Sequence, residues 1–262
     1  MKPGCTLSAK ELSIAASIGK SQLLVSQIPR ISIVTTGDEL IDVCASPLPH
    51  QIRRSNDLAL QFALQSAGYQ NVSRHHILDN LAETETTVQS ILQDTDILIL
   101  AGGVSKGKRD FLPAALESVG VGKTFQWVSQ RPGKPLWFGD VDRNGKRTLV
   151  FALPGNPVST AVCALVFLAP AICKLGGGTP QHYVFSAPLT TDMPENDQRQ
   201  DYIRATLTAN ANGQTQIRPA PRQDSSMMAT LAHANAFIVR PPFDPPKAVG
   251  DRVDILPMPQ LF

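Results

Sequence analysis

DILILAGGVS, residues 96–105, is the stretch whose reading decides the fold. Asp96 to Ala101 is a continuous apolar run without polar alternation, the pattern of a strand buried on both faces of a parallel sheet. Gly102 and Gly103 end it, and Ser105, Lys106, Lys108 and Arg109 follow at once. Paired glycines let the backbone approach a ligand closely and present N–H groups, and the cations favour an anion such as a phosphate. Read alone, the same residues also make a plain strand-to-helix turn. Asp110, just beyond, suits either a helix cap or an oxygen ligand to a divalent cation.

Working upstream, Ile31 to Thr35 is a β-branched run that reads as a second buried strand, interrupted by Thr36-Gly37-Asp38-Glu39-Leu40. A Pro-rich loop, Ser46 to His50, follows. Ser55-Asn56-Asp57 can cap a helix over Leu58–Ala67, which Gly68 stops. Val72–Leu78 is a weaker strand candidate, and Leu81–Leu92 is helical, with Glu83 and Glu85 in its first turn. Downstream, Phe111–Val119 is a helix. Strands over Phe125–Ser129 and Leu136–Gly139 flank Arg131-Pro132-Gly133-Lys134-Pro135. Thr148–Leu153 is a buried strand that meets Pro154-Gly155-Asn156-Pro157, and a long apolar helix runs over Val158–Leu175 to Gly176-Gly177-Gly178.

Strands alternating with helices predict an α/β fold, a three-layer, mostly parallel sheet with helices on both faces. After Gly178 the pattern changes to short strands between turns: Tyr183–Thr190, Tyr202–Leu207, Gln216–Arg218, Ala236–Val239 and Arg252–Leu256, with one short helix over Ser226–Ala234. The expected organisation is a lead-in over 1–29, an α/β domain over 30–178 and a small C-terminal β domain over 179–262.

The 262 residues carry a formal charge of +2 and are 42% hydrophobic. That is enough for a sizeable core, and so balanced a charge gives no global case for nucleic acid or membrane binding. Cys5, Cys44, Cys163 and Cys173 form no CxxC pair and no zinc spacing, and they read as reduced thiols. The N-terminus has no apolar signal core. The most apolar stretch, Ala161–Leu175, falls short of the ~20 residues of a span and contains Pro170. A cytoplasmic protein is expected. No Ser/His/Asp nucleophile set is present, and His75-His76 reads as surface.

In an open parallel sheet, ligands sit beyond the carboxyl ends of the strands. Three strands here end in unusual turns, at 36–39, 102–105 and 154–157, and RPGK at 131–134 is a fourth. Asp38 and Glu39 read by default as turn-capping acids. Lys134 and Arg131 suit either ligand contact or solvated charge. The residues thus predict a Gly/Pro-rimmed, partly basic cleft for an anionic cofactor or nucleotide and do not name it.

TTGDEL (35–40), SND (55–57), LDN (78–80), GGVSKGKRDF (102–111), RPGKP (131–135) and LPGNPVS (153–159), in that order, resemble the MoeA/gephyrin E-domain family, the molybdopterin molybdenumtransferases. PAPRQDSSMMATLAHANAFIV (219–239) is similar to that family's C-terminal β-barrel-like domain. The resemblance implies binding of adenylylated molybdopterin and molybdate, hydrolysis of the adenylate in a step dependent on Mg2+, and molybdenum insertion at the dithiolene with release of AMP. It implies Asp110 and Lys134 as catalytic residues. Asp110 would lie near the metal and the scissile phosphate, and Lys134 would hold molybdate or phosphate. Thr36, Gly37, Asp38, Glu39, Asn56 and Asp79 would line the site with Gly102, Gly103, Val104 and Ser105. Arg131, Pro132 and Gly133, and Pro154, Gly155, Asn156, Pro157 and Ser159, would complete the pterin pocket. Arg131 stands where many members have Lys, which keeps the charge and changes its geometry.

Members of the family carry two further upstream domains, which contribute acidic residues to the partner's site in a homodimer. A chain without them is expected to be a shortened form, weak in metal-dependent hydrolysis. The partners implied are pterin and molybdate, a second copy of the chain, a Mog-type adenylyltransferase and molybdoenzyme-maturation proteins, with no nucleic acid and no membrane. Two other readings stay open: a Mog-type molybdopterin adenylyltransferase, and a non-catalytic molybdopterin-binding or scaffolding fragment.

Overall fold

A computed structural model of the chain describes residues 2–103, 112–143, 145–180, 185–209 and 212–258. It begins with a helix, α1 (Ala9–Ser17), that the lead-in reading did not anticipate. Ser8 and Glu11 form a capping box at its start: Lys10 N–H donates to Ser8 Oγ at 3.3 Å, and Ser8 N–H donates to Glu11 Oε2 at 2.9 Å. The S-x-x-E signature was present in the sequence.

The first lobe then runs β1 (Ile31–Thr36), β2 (Leu40–Ile41), β3 (Ile52–Arg53), α2 (Asn56–Ser66), β4 (Val72–Ile77), α3 (Leu81–Asp94), β5 (Ile97–Ala101) and α4 (Leu112–Ser118). It continues through β6 (Gly122–Gln126), β7 (Gln130–Arg131), β8 (Trp137–Arg143), β9 (Lys146–Leu153), α5 (Pro157–Cys163), a π-turn (Ala164–Leu168) and α6 (Ala169–Leu175). Its main sheet has the order β4-β1-β5-β9-β8-β6. The first four strands are parallel, as expected, whereas β8 is antiparallel to both of its neighbours, β9 and β6, and so is the one strand that runs against the others of this sheet among the described residues. The reason is connection length: the link from Arg143 to Lys146 allows a hairpin and is far too short for a parallel crossover. The strand expected over Phe125–Ser129 sits earlier, at β6.

Side-chain alternation sorts β5 between two cores. Ile97, Ile99 and Ala101 pack with Leu60 and Leu64 of α2 and with Cys163, Ala164, Leu168 and Ile172 of the last helix. Leu98 and Leu100 pack with Val88 and Leu92 of α3 and Leu112 and Leu116 of α4. At ~1.5–3 kcal/mol per buried aliphatic side chain, burial on both faces explains the unbroken apolar run.

The helix over 157–175 is not broken by Pro170. Without an N–H, Pro170 cannot bond four residues back, and the helix absorbs this in a π-turn, with Ala169 N–H bonded to Ala164 O. This 19-residue helix is long and apolar enough to cross a membrane by length and composition, yet half of it is buried inside the protein. One side meets the main sheet. Val162, Leu165 and Val166 instead pack on Tyr202, Phe237, Val239 and Leu256 of the second lobe. A helix covered on two sides is apolar nearly all round.

That second lobe comprises β10 (Phe185–Pro188), β11 (Gln200–Ala209), β12 (Thr215–Pro219), α7 (Met228–Ala232), β13 (Ala236–Arg240) and β14 (Arg252–Pro257). Its antiparallel sheet has the order β10-β14-β13-β11-β12, and a bridge from Leu189 to Ile217 draws the first and last strands together, as in a barrel. β7 leaves the first lobe to pair in parallel with β11.

Candidate ligand cleft between the lobes

β1 and β5 are neighbours, but the chain leaves β1 towards β4 on one side and reaches β5 on the other. Connections that diverge from adjacent strand ends leave a crevice there. The turns after β1, β5 and β9, together with RPGKP, converge on it. Residues 223–228 of the second lobe close the far side, giving a cleft of about 900 Å3. Of the residues nominated from sequence, Thr36, Glu39, Asn56, Gly102, Gly103, Arg131, Pro132, Gly133, Lys134, Pro154, Gly155, Asn156, Pro157 and Ser159 line it. Gly37, Asp38 and Asp79 do not; Asp79 N–H donates to Asp38 Oδ1 at 3.0 Å beside the cleft. Val104, Ser105 and Asp110 lie outside the described residues.

The turns hold one another. Asn56 Nδ2 donates to Gly155 O at 2.7 Å, so Asn56 cross-links two turns, and Ser55 makes no side-chain cap bond to α2. Asp57, the other polar residue of that motif, is fully buried and pairs with Arg74 at 2.9 Å. A side chain at Gly155 would lie 3.7 Å from Gly102 Cα. Asn156 Nδ2 donates to Ser225 Oγ at 2.8 Å, which fastens the PGNP turn to the second lobe.

Most of the cleft's cations are already paired. Arg54 meets Asp42 at 3.1 Å and Asp57 at 4.0 Å. Arg199 meets Asp197 at 2.8 Å and, with backbone help, holds that carboxyl down at about 2. Arg131 grips Asp201 with two nitrogens, Nε at 2.6 Å and also Nη2, and reaches Asp197 at 3.1 Å. Hydrogen bonding to Asp201 raises the Arg131 guanidinium above its ordinary value. The planar fork therefore makes a bidentate grip that a Lys at this position could not. Lys134 is exposed and has no ion pair among the described residues. The cleft thus keeps a net positive face in RPGKP.

Arg131–Asp201 and the β7–β11 pairing together latch the lobes. Asp201→Ala is expected to cost about 1–3 kcal/mol, less than the ~3–5 kcal/mol of a fully buried pair. The discount follows because the Arg131 side chain is 47% exposed and can rehydrate. Urea unfolding checks this; an unchanged midpoint would remove the latch.

Sequence reasoning missed Arg53, Arg54, Gln130, Arg199, Gln223, Ser225, Ser226 and Met228, all of which line the cleft. Ser225 and Ser226 lie in the tail segment that carried the resemblance, but no local pattern marks them as facing the first lobe. Among the described residues no three His, Cys, Asp or Glu side chains gather as a metal site. Glu39 is the one carboxylate on the described lining, so these residues by themselves do not fit Mg2+.

The chain is thus an α/β protein of the open-sheet class, with strand-end turns that face a β lobe across a cleft lined by more cations than carboxylates. The chain belongs to the molybdopterin-binding domain family: residues 32–174 match the family model described as "Probable molybdopterin binding domain". Residues 186–258 match "MoeA C-terminal region (domain IV)". The molybdopterin molybdenumtransferase of Synechocystis sp. is 35% identical over 239 residues, 90% of this chain and 57% of that protein. The one from Haemophilus influenzae is 29% identical over all of this chain and 64% of its own length. The chain thus spans about three-fifths of these relatives. In fold it is similar to the MoeA protein of Pyrococcus horikosii, with a TM-score of 0.80 at 20% identity, over 98% of this chain and 61% of that one.

Proposed function

We propose that the chain binds adenylylated molybdopterin in the cleft between its lobes and takes part in inserting molybdenum from molybdate, with release of AMP. The observation that supports this best is the convergence of four separate Gly/Pro turns, one bearing the unpaired Lys134, on a single crevice at the sheet's switch point. A ligand with phosphates, and molybdate as an oxyanion, both suit N–H-rich turns with residual positive charge. Relatives named for this transfer support the same reading. The match over 186–258 favours it above an adenylyltransferase of Mog type, whose fold lacks such a tail.

In this reading the chain's residues bind and orient. Asn56 and Asn156 fix the PGNP turn, Lys134 neutralises the oxyanion, and residues 223–228 shield the site from water. Magnesium, a homodimer and a cytoplasmic location belong to the same proposal. The described lining, with Glu39 as its one carboxylate, does not supply a ligand set for magnesium.

The test is to titrate molybdopterin and adenylylated molybdopterin into the protein with Mg2+ and molybdate while following AMP. Binding with molybdate-dependent AMP release is the expected result. Binding without AMP release would leave a scaffolding fragment, and no binding of either pterin would sink the proposal. Lys134→Gln is expected to weaken molybdate binding several-fold and to flatten its salt dependence. An unchanged salt dependence would make Lys134 solvated surface charge.

A further inference from the structure

Gly176-Gly177-Gly178, where the helix over 157–175 ends, close it with a Schellman cap. Gly177 N–H donates to Lys174 O at 3.0 Å and Gly178 N–H to Cys173 O at 2.9 Å, with Gly177 left-handed at φ +79. In such a cap the residue at the place of Gly178 usually lays a side chain over the one at the place of Cys173. Gly178 has none. A Cβ there would lie 2.7 Å from Cys173 Sγ, so the sulfur reaches the space that a side chain would have filled. The lead-in comes to the same spot. Lys2-Pro3-Gly4-Cys5 is a turn, with Cys5 N–H bonded to Lys2 O at 3.3 Å and Gly4 left-handed at φ +84. Pro and Gly stand at the two central positions that such a turn favours. A Cβ on Gly4 would collide with Gly177 O and lie 3.6 Å from Gly178 Cα, so here backbone is pressed on backbone. The lead-in passes the cap again at Ser26, whose Oγ is 3.6 Å from where a Gly177 side chain would begin.

We infer that Cys5 and Cys173 are a redox pair, two thiols that close to a disulfide and fasten the lead-in to the end of the helix over 157–175. Both are free in this structure, Cys5 exposed and Cys173 half-buried. Cys5 is one residue, ~3.8 Å of chain, beyond the glycine that touches the cap. A disulfide accepts Cα separations up to about 7 Å, and the exposed turn lets Cys5 cover the remaining distance. The oxidant is a small disulfide, R–S–S–R. Cys5, as thiolate, attacks one of its sulfurs, forming a mixed disulfide and releasing one R–S⁻. Cys173, as thiolate, then attacks Cys5 Sγ, breaks the mixed bond and releases the second R–S⁻. Two protein thiols are oxidised, the small disulfide is reduced to two R–SH, and the protons of the two cysteines end on these. The bond has something to hold. Leu12, Ile14 and Ile18 at α1 and Leu24 and Val25 beyond it are exposed, and Ala15 is the one buried residue of α1. Few buried contacts therefore restrain the lead-in, the mark of a segment that opens easily. The inference stands apart from the cleft, since neither thiol lines it.

The experiment treats the purified, reduced chain with oxidised glutathione and follows it by intact mass and by peptide mapping without reductant. The expected product is one intramolecular bond, lighter by two hydrogen atoms, mapped to Cys5 and Cys173 and formed at a rate independent of protein concentration. Cys44→Ser should leave it intact, and Cys5→Ser or Cys173→Ser should abolish it. Gly178→Ala keeps both thiols and sets a methyl group against Cys173 Sγ, so closure should slow roughly tenfold through lost access. The bond should raise the melting temperature by roughly 5–10 °C and slow hydrogen exchange over residues 8–18, both reversed by dithiothreitol. A mixed disulfide that persists on Cys5, a bond to Cys44 or between chains, or a linked product with unchanged exchange over 8–18 overturns the inference.

Discussion

Gly103→Val is expected to lower the unfolding free energy by about 3–5 kcal/mol, combining backbone strain with overpacking, and to abolish ligand binding in the cleft. Gly103 has φ +68, a conformation in which a β-branched residue is a genuine outlier. A Cβ there would lie 2.4 Å from Leu112 Cδ1 and 2.9 Å from Thr36 Oγ1. Leu112 cannot swing aside freely, because it is 2% exposed and packed in the core with Val88, Leu116 and Trp137. Thr36 is the last residue of β1 and lines the cleft. The new side chain must therefore displace either the core or the binding wall. Urea unfolding followed by fluorescence of the buried Trp137 measures the loss, and Gly103→Ala should fall part-way along the same scale. A loss below about 1 kcal/mol for Val, the range of a harmless substitution, would mean that the turn relaxes and that Gly103 is not a conformational requirement.

That turn was also the most legible part of the sequence. DILILA could only be a strand covered on both faces, and it dictated helices on each side; β5 with its two cores is the result. Turn chemistry at strand ends marked the Gly and Pro positions of the lining for the same reason, since these residues are chosen by backbone geometry that a local pattern records. What stayed hidden depends on partners distant in sequence. Nothing local says that Arg131 meets Asp201, 70 positions away, that Asn56 reaches across to Gly155, or that Gln130 is buried beneath a turn rather than solvated. The reversed direction of β8 was hidden too. Period and composition identify a strand and leave its direction to the length of its connections. Asp38 and Asp79 show the converse case: a strand-end acid can serve a neighbouring loop and leave the cleft to others.

The reach of distant partners is sharpest at Arg204. Arg204→Met is expected to lower stability by about 1–3 kcal/mol, the cost of unmade buried hydrogen bonds. It should weaken cleft ligands by tenfold or more, ~1.4 kcal/mol or above. Arg204 is 1% exposed on β11, and its guanidinium meets no carboxylate at ion-pair distance among the described residues. Instead Nη1 donates to Met227 O at 3.0 Å, Nη2 to Asp224 O at 2.9 Å and Arg222 O at 3.4 Å, and Nε to Gln223 Oε1 at 3.3 Å. Burial pushes its guanidinium below the ordinary value, and the nearby Asp224 partly offsets this. A charge costly to bury is thus spent wholly on shaping one loop. That loop carries Ser225, which bonds Asn156, and Gln223, Ser226 and Met228, which line the cleft. Methionine fills much of the volume but strands three carbonyls, so the loop should move outwards to hydrate them, taking the far wall of the site with it. Hydrogen exchange over 222–228, measured beside ligand affinity, separates this from general weakening. Faster exchange there with slower change elsewhere is the expected pattern. Unaltered loop protection with intact affinity, whatever the melting temperature does, would reduce Arg204 to a packing residue and leave the shape of the far wall without its cause.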